Sequence, residues 1–418
     1  MRQKAILVGV NTTTKELHNY EMTEMKELCY ACEIDIIETV SQAANTTNIN
    51  TYVRKGKLDE IKVLIETLQP DLVVCNDQLS ATQINNMQEV LEVNIYDRTY
   101  IILEIFKRRA TTKEAILQVD IASLRYMLPR LIGLREGLSR QRGAAGGAHG
   151  RGAGETQLEI DRRNINDRIA FLKGQLDELT KERALQRQKR KNNNVPVVCL
   201  AGYTNSGKSS TLNAFLDSST ALKKKVLEKD MLFATLETSS RLIKLENNHE
   251  FILTDTVGFV SKLPTQLVEA FKSTLEEITE ADLIIHVVDS SNPNYQVQIE
   301  TTNKVLEEIG VKDIPMIYAF NKIDLVEGYF YIPPQFTDAI RFSAINNHNI
   351  DSLTKMIEDI LFKDEKDVEL SLPYDKISIL STLQNDSIVY NIEYLETEIY
   401  VKARLSQKYQ NLLKEYIK

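Results

Sequence analysis

The sequence is poor in cysteine and has no long apolar run. These two shortages argue against a disulfide-rich protein and against a membrane-spanning protein. Its four cysteines, Cys29, Cys32, Cys75 and Cys199, are too few and too scattered to cross-link 418 residues as a disulfide scaffold. Cys29 and Cys32 form a C-x-x-C pair, but no second Cys or His pair completes a zinc site. We interpret them as small apolar residues on one helix face. No apolar stretch approaches the roughly 20 residues that cross a bilayer, so we expect a cytoplasmic protein without a membrane-spanning segment.

The net charge of -8 would by itself argue against a nucleic-acid partner. The charge is unevenly distributed, however. Residues 135–191 hold 14 Lys/Arg against 8 Asp/Glu, a net of +6, whereas residues 192–364 hold 15 against 24, a net of -9. An acidic domain thus follows a basic arm, and the arm has the charge of an RNA-binding element.

Residues 1–97 show four short apolar runs separated by stretches of helical composition. The runs are AILVGV, IDIIETV, DLVVCN and VNIYD. This alternation predicts a small parallel sheet with crossover helices. The segment has no phosphate-binding glycine pattern, so we expect it to serve in docking or regulation.

Residues 98–191 have the pattern of two helices with heptad-like apolar seams. Two such helices separated by a loop bury their seams on each other as a long antiparallel hairpin, and we expect Pro129 to kink the first helix near its end. An intermolecular coiled coil fits less well, because the seams are short and paired in sequence. The seam residues are Leu117, Ile121, Leu124, Leu128 and Leu131 in the first helix and Ile165, Ile169, Leu172, Leu176 and Leu179 in the second.

The interval between the two helices, RGAAGGAHGRGAGE, covers residues 142–155 and holds six glycines. Two interpretations stay open. One is a flexible, solvated connector. The other is a mobile tip, flanked by Arg140, Arg142 and Arg151, that orders against a polyanion without side chains holding the backbone away.

Residues 192–364 contain six strand-like runs that alternate with helical stretches: VVCLA, RLIKL, EFILTD, LIIHVVD, PMIYAFN and AIRFS. They predict a nucleotide-binding domain around a mostly parallel six-stranded sheet. Residues 370–418, with the runs SIVYNIEY and TEIYVKARL and a closing helix, predict a small α+β domain. The expected fold class is α/β overall, with an N-terminal α/β domain, the helical hairpin, a central P-loop domain and this C-terminal domain.

GYTNSGKSS follows the run VVCLA and matches G-x-x-x-x-G-K-[ST], the phosphate-binding P-loop. In this motif the glycines let backbone N–H groups surround the phosphates, Lys208 reaches the β- and γ-phosphate oxygens, and the Ser209 hydroxyl ligates Mg²⁺. The predicted nucleotide contacts of the motif are Gly202, Tyr203, Thr204, Asn205, Ser206, Gly207, Lys208, Ser209 and Ser210.

The run TDTVGFV is typical of the segment that senses the γ-phosphate in a GTPase. Asp255 closes a predicted strand, where its carboxylate can hold Mg²⁺ through a water molecule, and the Gly258 N–H can reach the γ-phosphate. The next residue is Phe259, where Ras-like enzymes have a Gln that orients the attacking water. A phenyl ring cannot do this. We therefore expect slow intrinsic hydrolysis and a partner that orders or supplies the missing group.

NKID and FSA, which follow the last two strand-like runs, predict a guanine pocket. Asn321 is expected to brace the phosphate loop, and the Asp324 carboxylate to accept both N–H donors on the edge of guanine. The Ala344 N–H is placed to meet guanine O6. A buried, paired carboxylate discriminates strongly, because adenine would leave it unmatched. Lys322 and Ser343 complete the predicted contacts.

The segment MLFATLETSS must supply a threonine to Mg²⁺. Thr235 is the candidate and Thr238 its competitor, and Phe233 is included among the predicted nucleotide contacts. The predicted Mg²⁺ ligands are Ser209, Thr235 and, through water, Asp255. The catalytic candidates are Lys208, Thr235 and Gly258.

With these motifs in order, the sequence resembles the HflX family, in the Obg-HflX group of translation-factor-like GTPases. The stretch GAGETQLEIDRR, residues 152–163, is similar to the family signature GPGETQLEIDRR. The family's FATLDPT appears as FATLETS, which supports Thr235 as the switch threonine. Two prolines of the family pattern are replaced, by Ala153 and Thr238. Each replacement loosens a rigid turn but removes no catalytic atom.

The resemblance implies a Mg²⁺-dependent GTPase that produces GDP and phosphate, binds the large ribosomal subunit and its rRNA, acts on stalled or idle ribosomes and promotes subunit separation. The glycine-rich loop would enter the ribosome, and we expect a monomer. Two alternatives stay open: a GTP-binding scaffold with negligible turnover, suggested by the missing Gln, and a metabolic P-loop phosphotransferase. The latter needs a base over the γ-phosphate. No such motif is formed by the dispersed histidines His18, His149, His249, His286 and His348.

Overall fold

The computed structural model describes residues 2–143, 151–192, 195–218, 232–233, 239–262, 264 and 272–418. Within them, the side chains of residues 131–143, 151–158, 182–192, 218, 272–274, 276 and 385–386 are not described. The chain divides into two compact units, each assembled from separate stretches. The first unit comprises Met1–Gln188, Lys229–Glu237 and Gly258–Leu275, and the second comprises Lys189–Glu228, Thr238–Val257 and Glu276–Lys418.

The strands and helices are numbered in chain order. The strands are β1 Gln3–Asn11, β2 Ile34–Ala43, β3 Leu72–Cys75, β4 Asn94–Asp97, β5 Val197–Ala201, β6 Ser239–Lys244, β7 Glu250–Asp255, β8 Leu283–Asp289, β9 Met316–Asn321, β10 Ala339–Arg341, β11 Lys366–Pro373, β12 Ile388–Tyr394 and β13 Glu398–Leu405. The helices are α1 Lys15–Ala31, α2 Lys55–Leu68, α3 Ala81–Leu91, α4 Arg98–Arg109, α5 Lys113–Gly143, α6 Arg151–Asn192, α7 Lys208–Ser218, α8 Lys272–Thr279, α9 Tyr295–Glu308, α10 Ile350–Leu361, α11 Ile377–Asp386 and α12 Gln407–Leu412.

The first unit contains the four-stranded sheet that the N-terminal alternation predicts. Its strands are all parallel in the order β2-β1-β3-β4. Two of its helices begin at side-chain caps: the Thr14 hydroxyl accepts from the Leu17 N–H at α1, and Ser80 and Gln83 form a capping box at α3. Gly9 of β1 leaves room for α1, since a Cβ there would lie 2.4 Å from the Met22 sulfur. The carboxyl end of β1 therefore lies close to α1.

The helical hairpin also belongs to the first unit, and its seams meet as predicted. Leu117 and Ile121 of α5 form one apolar cluster with Ile169 and Leu172 of α6. Leu124, Ile165, Leu176 and Leu179 pack against this cluster, whereas Leu128 is half-buried outside it and the side chain of Leu131 is not described.

The predicted loop of residues 142–155 is too long. α5 continues through Pro129 to Gly143, and α6 already begins at Arg151, so glycines 152 and 154 lie in a helix. A helical glycine costs about 1 kcal/mol relative to alanine, which the long α6 tolerates. Residues 144–150, the middle of the glycine-rich interval, lie outside the described residues.

The second unit is built on the predicted six-stranded sheet. Its order is β10-β9-β8-β5-β7-β6, with all neighbours parallel except β6, which pairs antiparallel with β7. The strand order reverses between β5 and β8. In open α/β sheets this reversal opens a crevice at the carboxyl ends of the strands, where ligands bind. β5 ends at Ala201, directly before the P-loop.

Residues near the C-terminus form a second sheet in this unit, with three antiparallel strands in the order β11-β13-β12. The sequence analysis expected only β12 and β13 as strands. β11 was missed, although Val368, Leu370 and Leu372 alternate with polar residues along it and Leu370 and Leu372 are fully buried. α11 and α12 cover this core.

His249 connects parts of the second unit that are distant in sequence. Its Nδ1 lies 2.7 Å from a Glu358 oxygen and its Nε2 lies 2.9 Å from a Glu365 oxygen. The imidazole stacks on Phe362 at 3.9 Å. Burial lowers the pKa of His249, but the hydrogen bonds to both carboxylates raise it by more, so the pKa lies above its ordinary value of 6.5. The ring thus joins the β6–β7 turn to α10 and to the residue before β11.

Candidate functional site

The P-loop lies between β5 and α7, and two of its glycines are required by geometry. Gly202 has a φ of +148°, and a Cβ there would lie 2.3 Å from the Val287 carbonyl oxygen of β8. Gly207 has a φ of +95°, and a Cβ there would lie 2.1 Å from Nδ2 of Asn321. Left-handed backbone and close approach both exclude larger residues. The loop therefore curls tightly between the ends of β5, β8 and β9.

Lys208 begins α7 with its amine turned into the loop. Its Nζ donates to the carbonyl oxygens of Gly202, at 3.0 Å, and Tyr203, at 2.7 Å. Burial lowers the pKa of Lys208 to about 8, against a smaller raising effect of Asp255. Phosphate oxygens would return this amine fully to its charged form.

Ser209 and Asp255 are in direct contact. The Ser209 hydroxyl donates to Oδ2 of Asp255 at 2.6 Å, and Asp255 is fully buried at the end of β7. These two predicted Mg²⁺ ligands are thus brought together. In the described part of the chain no group of three or more His, Cys, Asp and Glu residues could hold a metal ion, so a metal here would take oxygen ligands from other groups as well.

Asn321 bridges the phosphate loop and the FSA loop. The sequence predicts its contact with the phosphate loop but not its contact with the FSA loop. Its Nδ2 donates to the Ser206 carbonyl at 3.0 Å, and its Oδ1 accepts from the Ala344 N–H at 3.0 Å. The side chain is buried, at 2% exposed. One amide therefore holds two predicted nucleotide-binding loops together. The Ala344 N–H, predicted to meet guanine O6, donates to Asn321 in this structure, and its contact with guanine stays a prediction.

The remaining guanine-pocket residues differ in burial. Asp324 is exposed, in a short 3-10 turn after β9, so the buried carboxylate expected from the sequence would arise only when a base covers it. Ser343 is buried, and its hydroxyl accepts from the Asn346 N–H. Lys322 has a left-handed backbone and pairs with Asp289 at 2.8 Å. Asp289 was missed by the sequence analysis, although it closes the run LIIHVVD as Asp255 closes EFILTD.

His286, on β8 next to the P-loop strand, is a buried structural residue. Burial, with a contribution from Lys208, lowers its pKa to about 3. The imidazole is therefore neutral near pH 7 and cannot serve as a charged group.

Among the other predicted residues, Phe233, Thr235 and Gly258 belong to the first unit and Thr238 belongs to the second. Thr235 and Thr238 lie in residues 234–238, outside the described residues, so their predicted roles remain predictions. The Phe233 ring is buried and packs edge-to-face on Phe106 of α4, with centroids 4.6 Å apart. Phe259 follows Gly258 and is also buried, at 1% exposed. The Phe259 ring is therefore screened from solvent.

Three family models match successive parts of the chain between residues 19 and 322. They are "GTP-binding GTPase N-terminal" at residues 19–107, "GTP-binding GTPase Middle Region" at 109–190 and "50S ribosome-binding GTPase" at 197–322. A solved GTP-binding protein from the hyperthermophilic archaeon Sulfolobus solfataricus, in complex with GDP, is 24% identical with a TM-score of 0.43. The match covers 86% of this chain and 99% of the archaeal chain.

Curated relatives extend over nearly the full length. GTPase HflX of Caldanaerobacter subterraneus subsp. tengcongensis is 42% identical over 416 residues, which is 100% of this chain and 94% of the relative. GTPase HflX of Alkalihalophilus pseudofirmus is 38% identical over 424 residues, 99% of this chain and 98% of the relative. No helix in the described ranges is long and apolar enough to cross a membrane. The P-loop, the guanine motifs and these relatives together show that the chain belongs to the HflX family of GTPases.

Proposed function

We propose that GTP and GDP bind at the crevice between β5 and β8, through the residues that the sequence analysis assigned to the site. The observation that carries this proposal is the Asn321 side chain, which joins the P-loop carbonyl of Ser206 to the Ala344 N–H. A single amide thereby links the loop that would surround the phosphates to the loop that would read guanine. The exposed Asp324 carboxylate is free to accept the N–H donors of the base.

We infer that Mg²⁺ is held by Ser209, Thr235 and, through water, Asp255. The fit rests on the adjacent hydroxyl and carboxylate oxygens of Ser209 and Asp255, which are the hard ligands that this ion prefers. When bound, the ion neutralises charge on the β- and γ-phosphates. Lys208 adds a second positive charge from the protein, and the Gly258 N–H contributes a donor at the γ-phosphate.

We propose that the isolated protein hydrolyses GTP slowly. The buried Phe259 occupies the position where a Gln would orient the attacking water, and its ring has no hydrogen-bonding group. A partner that orders the Thr235 segment or supplies a polar group would raise the rate by orders of magnitude. Until it meets that partner, the protein would remain bound to GTP.

We propose the large ribosomal subunit as that partner, on stalled or idle ribosomes, with subunit separation as the outcome. The basic region of residues 135–191 and the "50S ribosome-binding GTPase" match support this assignment. RNA recognition by shape and backbone charge suits a basic hairpin better than a base code. In this proposal residues 1–97, 98–191, 192–364 and 370–418 act as four functional segments of a cytoplasmic monomer.

The test is GTP turnover by the purified protein with and without purified large ribosomal subunits. We expect low turnover alone and a large increase with large subunits, and no increase with small subunits alone. Full turnover without ribosomes would contradict the proposed partner. No turnover in either condition would favour the scaffold alternative for this chain.

A further inference from the structure

A polar crevice lies at the carboxyl ends of β1 and β3, where the order of the first sheet reverses. Its walls come from α1, from the two residues after β3 and from the first residue of α4. In doubly wound folds this position receives a ligand. We call it the acceptor crevice and define it by Glu21, Glu24, Asn76, Asp77 and Arg98.

The acceptor crevice is filled by the chain itself, through residues 258–262, which we call the switch segment. Both belong to the first unit. Arg98 is 1% exposed and donates twice to the Ser261 carbonyl, at 3.0 and 3.2 Å, and once to the Ser261 hydroxyl, at 3.1 Å. The same guanidinium pairs with Glu24, which also accepts from the Ser261 hydroxyl. The Arg98 guanidinium thus binds the Ser261 carbonyl and hydroxyl through several hydrogen bonds, as it would bind a ligand.

Lys262 enters the crevice beside it. Its amine lies 2.7 Å from a Glu21 oxygen and 2.7 Å from an Asp77 oxygen, and its side chain remains 38% exposed. Burial lowers the pKa of Lys262, but the two carboxylates raise it by more, so the amine is charged. Asp77 is itself fixed, because the Tyr52 hydroxyl donates to its second oxygen at 2.6 Å.

The charges of the crevice select its occupant. The crevice presents three carboxylates and one guanidinium, and Arg98 is already committed to Glu24, to Ser261 and to Asn76 at 3.2 Å. A phosphate group would meet net negative charge here, whereas the Lys262 amine reduces the excess of carboxylates over cations from two to one. The crevice is therefore suited to a cationic peptide rather than to a nucleotide.

We propose that the acceptor crevice is an intramolecular receptor for the switch segment, and that Ser261 and Lys262 are positioning residues for GTP hydrolysis. The proposal rests on the role proposed above for Gly258 at the γ-phosphate. Gly258 is three residues from Ser261, and the intervening Phe259 and Val260 are buried, so a segment anchored at its end has few backbone states left. Anchoring of Ser261 and Lys262 pre-organises the Gly258 N–H. Loss of this anchoring slows GTP hydrolysis without weakening the phosphate and guanine contacts.

The test compares Lys262→Met with Lys262→Arg in the full-length protein. Met keeps the aliphatic length but removes both ion pairs, and Arg retains a cation. We expect Lys262→Met to lower kcat for GTP about three- to tenfold, with the affinities for fluorescent GDP and a non-hydrolysable GTP analogue unchanged. Lys262→Arg should restore most of the rate. Lys304→Met, at an exposed lysine of α9 in the second unit, is the matched control and should leave kcat unchanged.

A double-mutant cycle identifies the crevice as the cause. Glu21→Gln should lower kcat in the wild type and have little further effect in Lys262→Met, because both changes remove one interaction. Hydrogen exchange at the amides of residues 258–262 should accelerate in both variants, while thermal unfolding shows the fold retained. Unchanged or higher kcat in Lys262→Met, or additive effects in the cycle, would overturn the positioning role. Loss of nucleotide affinity in these variants would also overturn the positioning role. The proposed nucleotide site has a separate test, because it would be refuted if Asp324→Asn kept its preference for guanine.

Discussion

Truncating Asn321 to alanine tests whether one amide holds the nucleotide site together. The change leaves two buried backbone groups, the Ser206 carbonyl and the Ala344 N–H, without the partners that lie 3.0 Å away in the wild type. Each group left unpaired costs about 1–2 kcal/mol, at the lower end of the usual range because water can partly replace the amide. The two together amount to about 2–4 kcal/mol, and each 1.4 kcal/mol is a factor of ten in affinity. Where GDP must bring the two unlinked loops back into place, this cost appears in the affinity, so we expect the Kd for GDP to rise by about 30-fold to several-hundred-fold.

The assay is a titration of fluorescent GDP, with thermal unfolding in parallel to separate binding from folding. Asn303→Ala is the matched control. Asn303 is a half-buried asparagine of α9 in the same unit that donates to the Tyr318 hydroxyl at 3.3 Å. It should lower the midpoint of thermal unfolding slightly and leave the Kd unchanged.

Asn321→Asp separates the two halves of the bridge. Aspartate keeps an acceptor for the Ala344 N–H but turns a carboxylate oxygen toward the Ser206 carbonyl, so it should weaken binding at least as much as loss of that single bond. A change in Kd below about threefold for Asn321→Ala would refute the bridge as the element that organises the site.

Further expectations concern specificity, proton uptake, pH and RNA. Asp324→Asn should shift preference from guanine toward xanthine nucleotides, measured by competition, with the fold intact; equal affinity of the wild type for ATP and GTP would contradict the guanine pocket. Since the pKa of Lys208 is about 8, GDP binding at pH 8–8.5 should take up protons, seen as calorimetric heats that vary with the buffer, and no variation would argue against a neutral fraction of this amine. The pKa of His249 is raised, so its stabilisation should be complete below pH 6.5 and decline as pH rises through the higher folded value; in His249→Asn, thermal unfolding measured against pH should lose this decline. Deleting residues 143–154 should leave GTP binding unchanged and weaken ribosome association, with the wild-type association falling steeply as salt increases; unaltered association would make the loop a simple connector.

Local patterns predicted most of the fold, whereas the contacts with nucleotide and Mg²⁺ stay predictions. The six strands of the central sheet, the P-loop between β5 and α7 and the brace by Asn321 all follow from residues within a short window or from a motif whose geometry is fixed by covalent structure. β11 was the exception. Its alternation of Val368, Leu370 and Leu372 is a strand signal, but it runs directly into Pro373, and the sequence analysis named only the two later runs of this domain as strands.

Contacts between distant segments could not be predicted. Lys262 pairs with Glu21, 241 residues away, and His249 pairs with Glu365, 116 residues away. A single lysine or histidine in a polar stretch has no periodicity, so nothing local distinguishes it from a solvated side chain. Such pairs can be identified only from the folded structure, in which the sheets bring the paired residues together.

The division of the first unit into three stretches has a consequence for synthesis. Phe106 is made early, but its ring partner Phe233 follows more than a hundred residues later, and the acceptor crevice receives Ser261 later still. The N-terminal sheet must therefore wait, with its crevice open, while β5, β6 and β7, three of the six strands of the central sheet, are translated. Maturation of the first unit cannot be completed before residue 275 has left the ribosomal exit tunnel, so folding of the two units is coupled by the order in which the chain emerges.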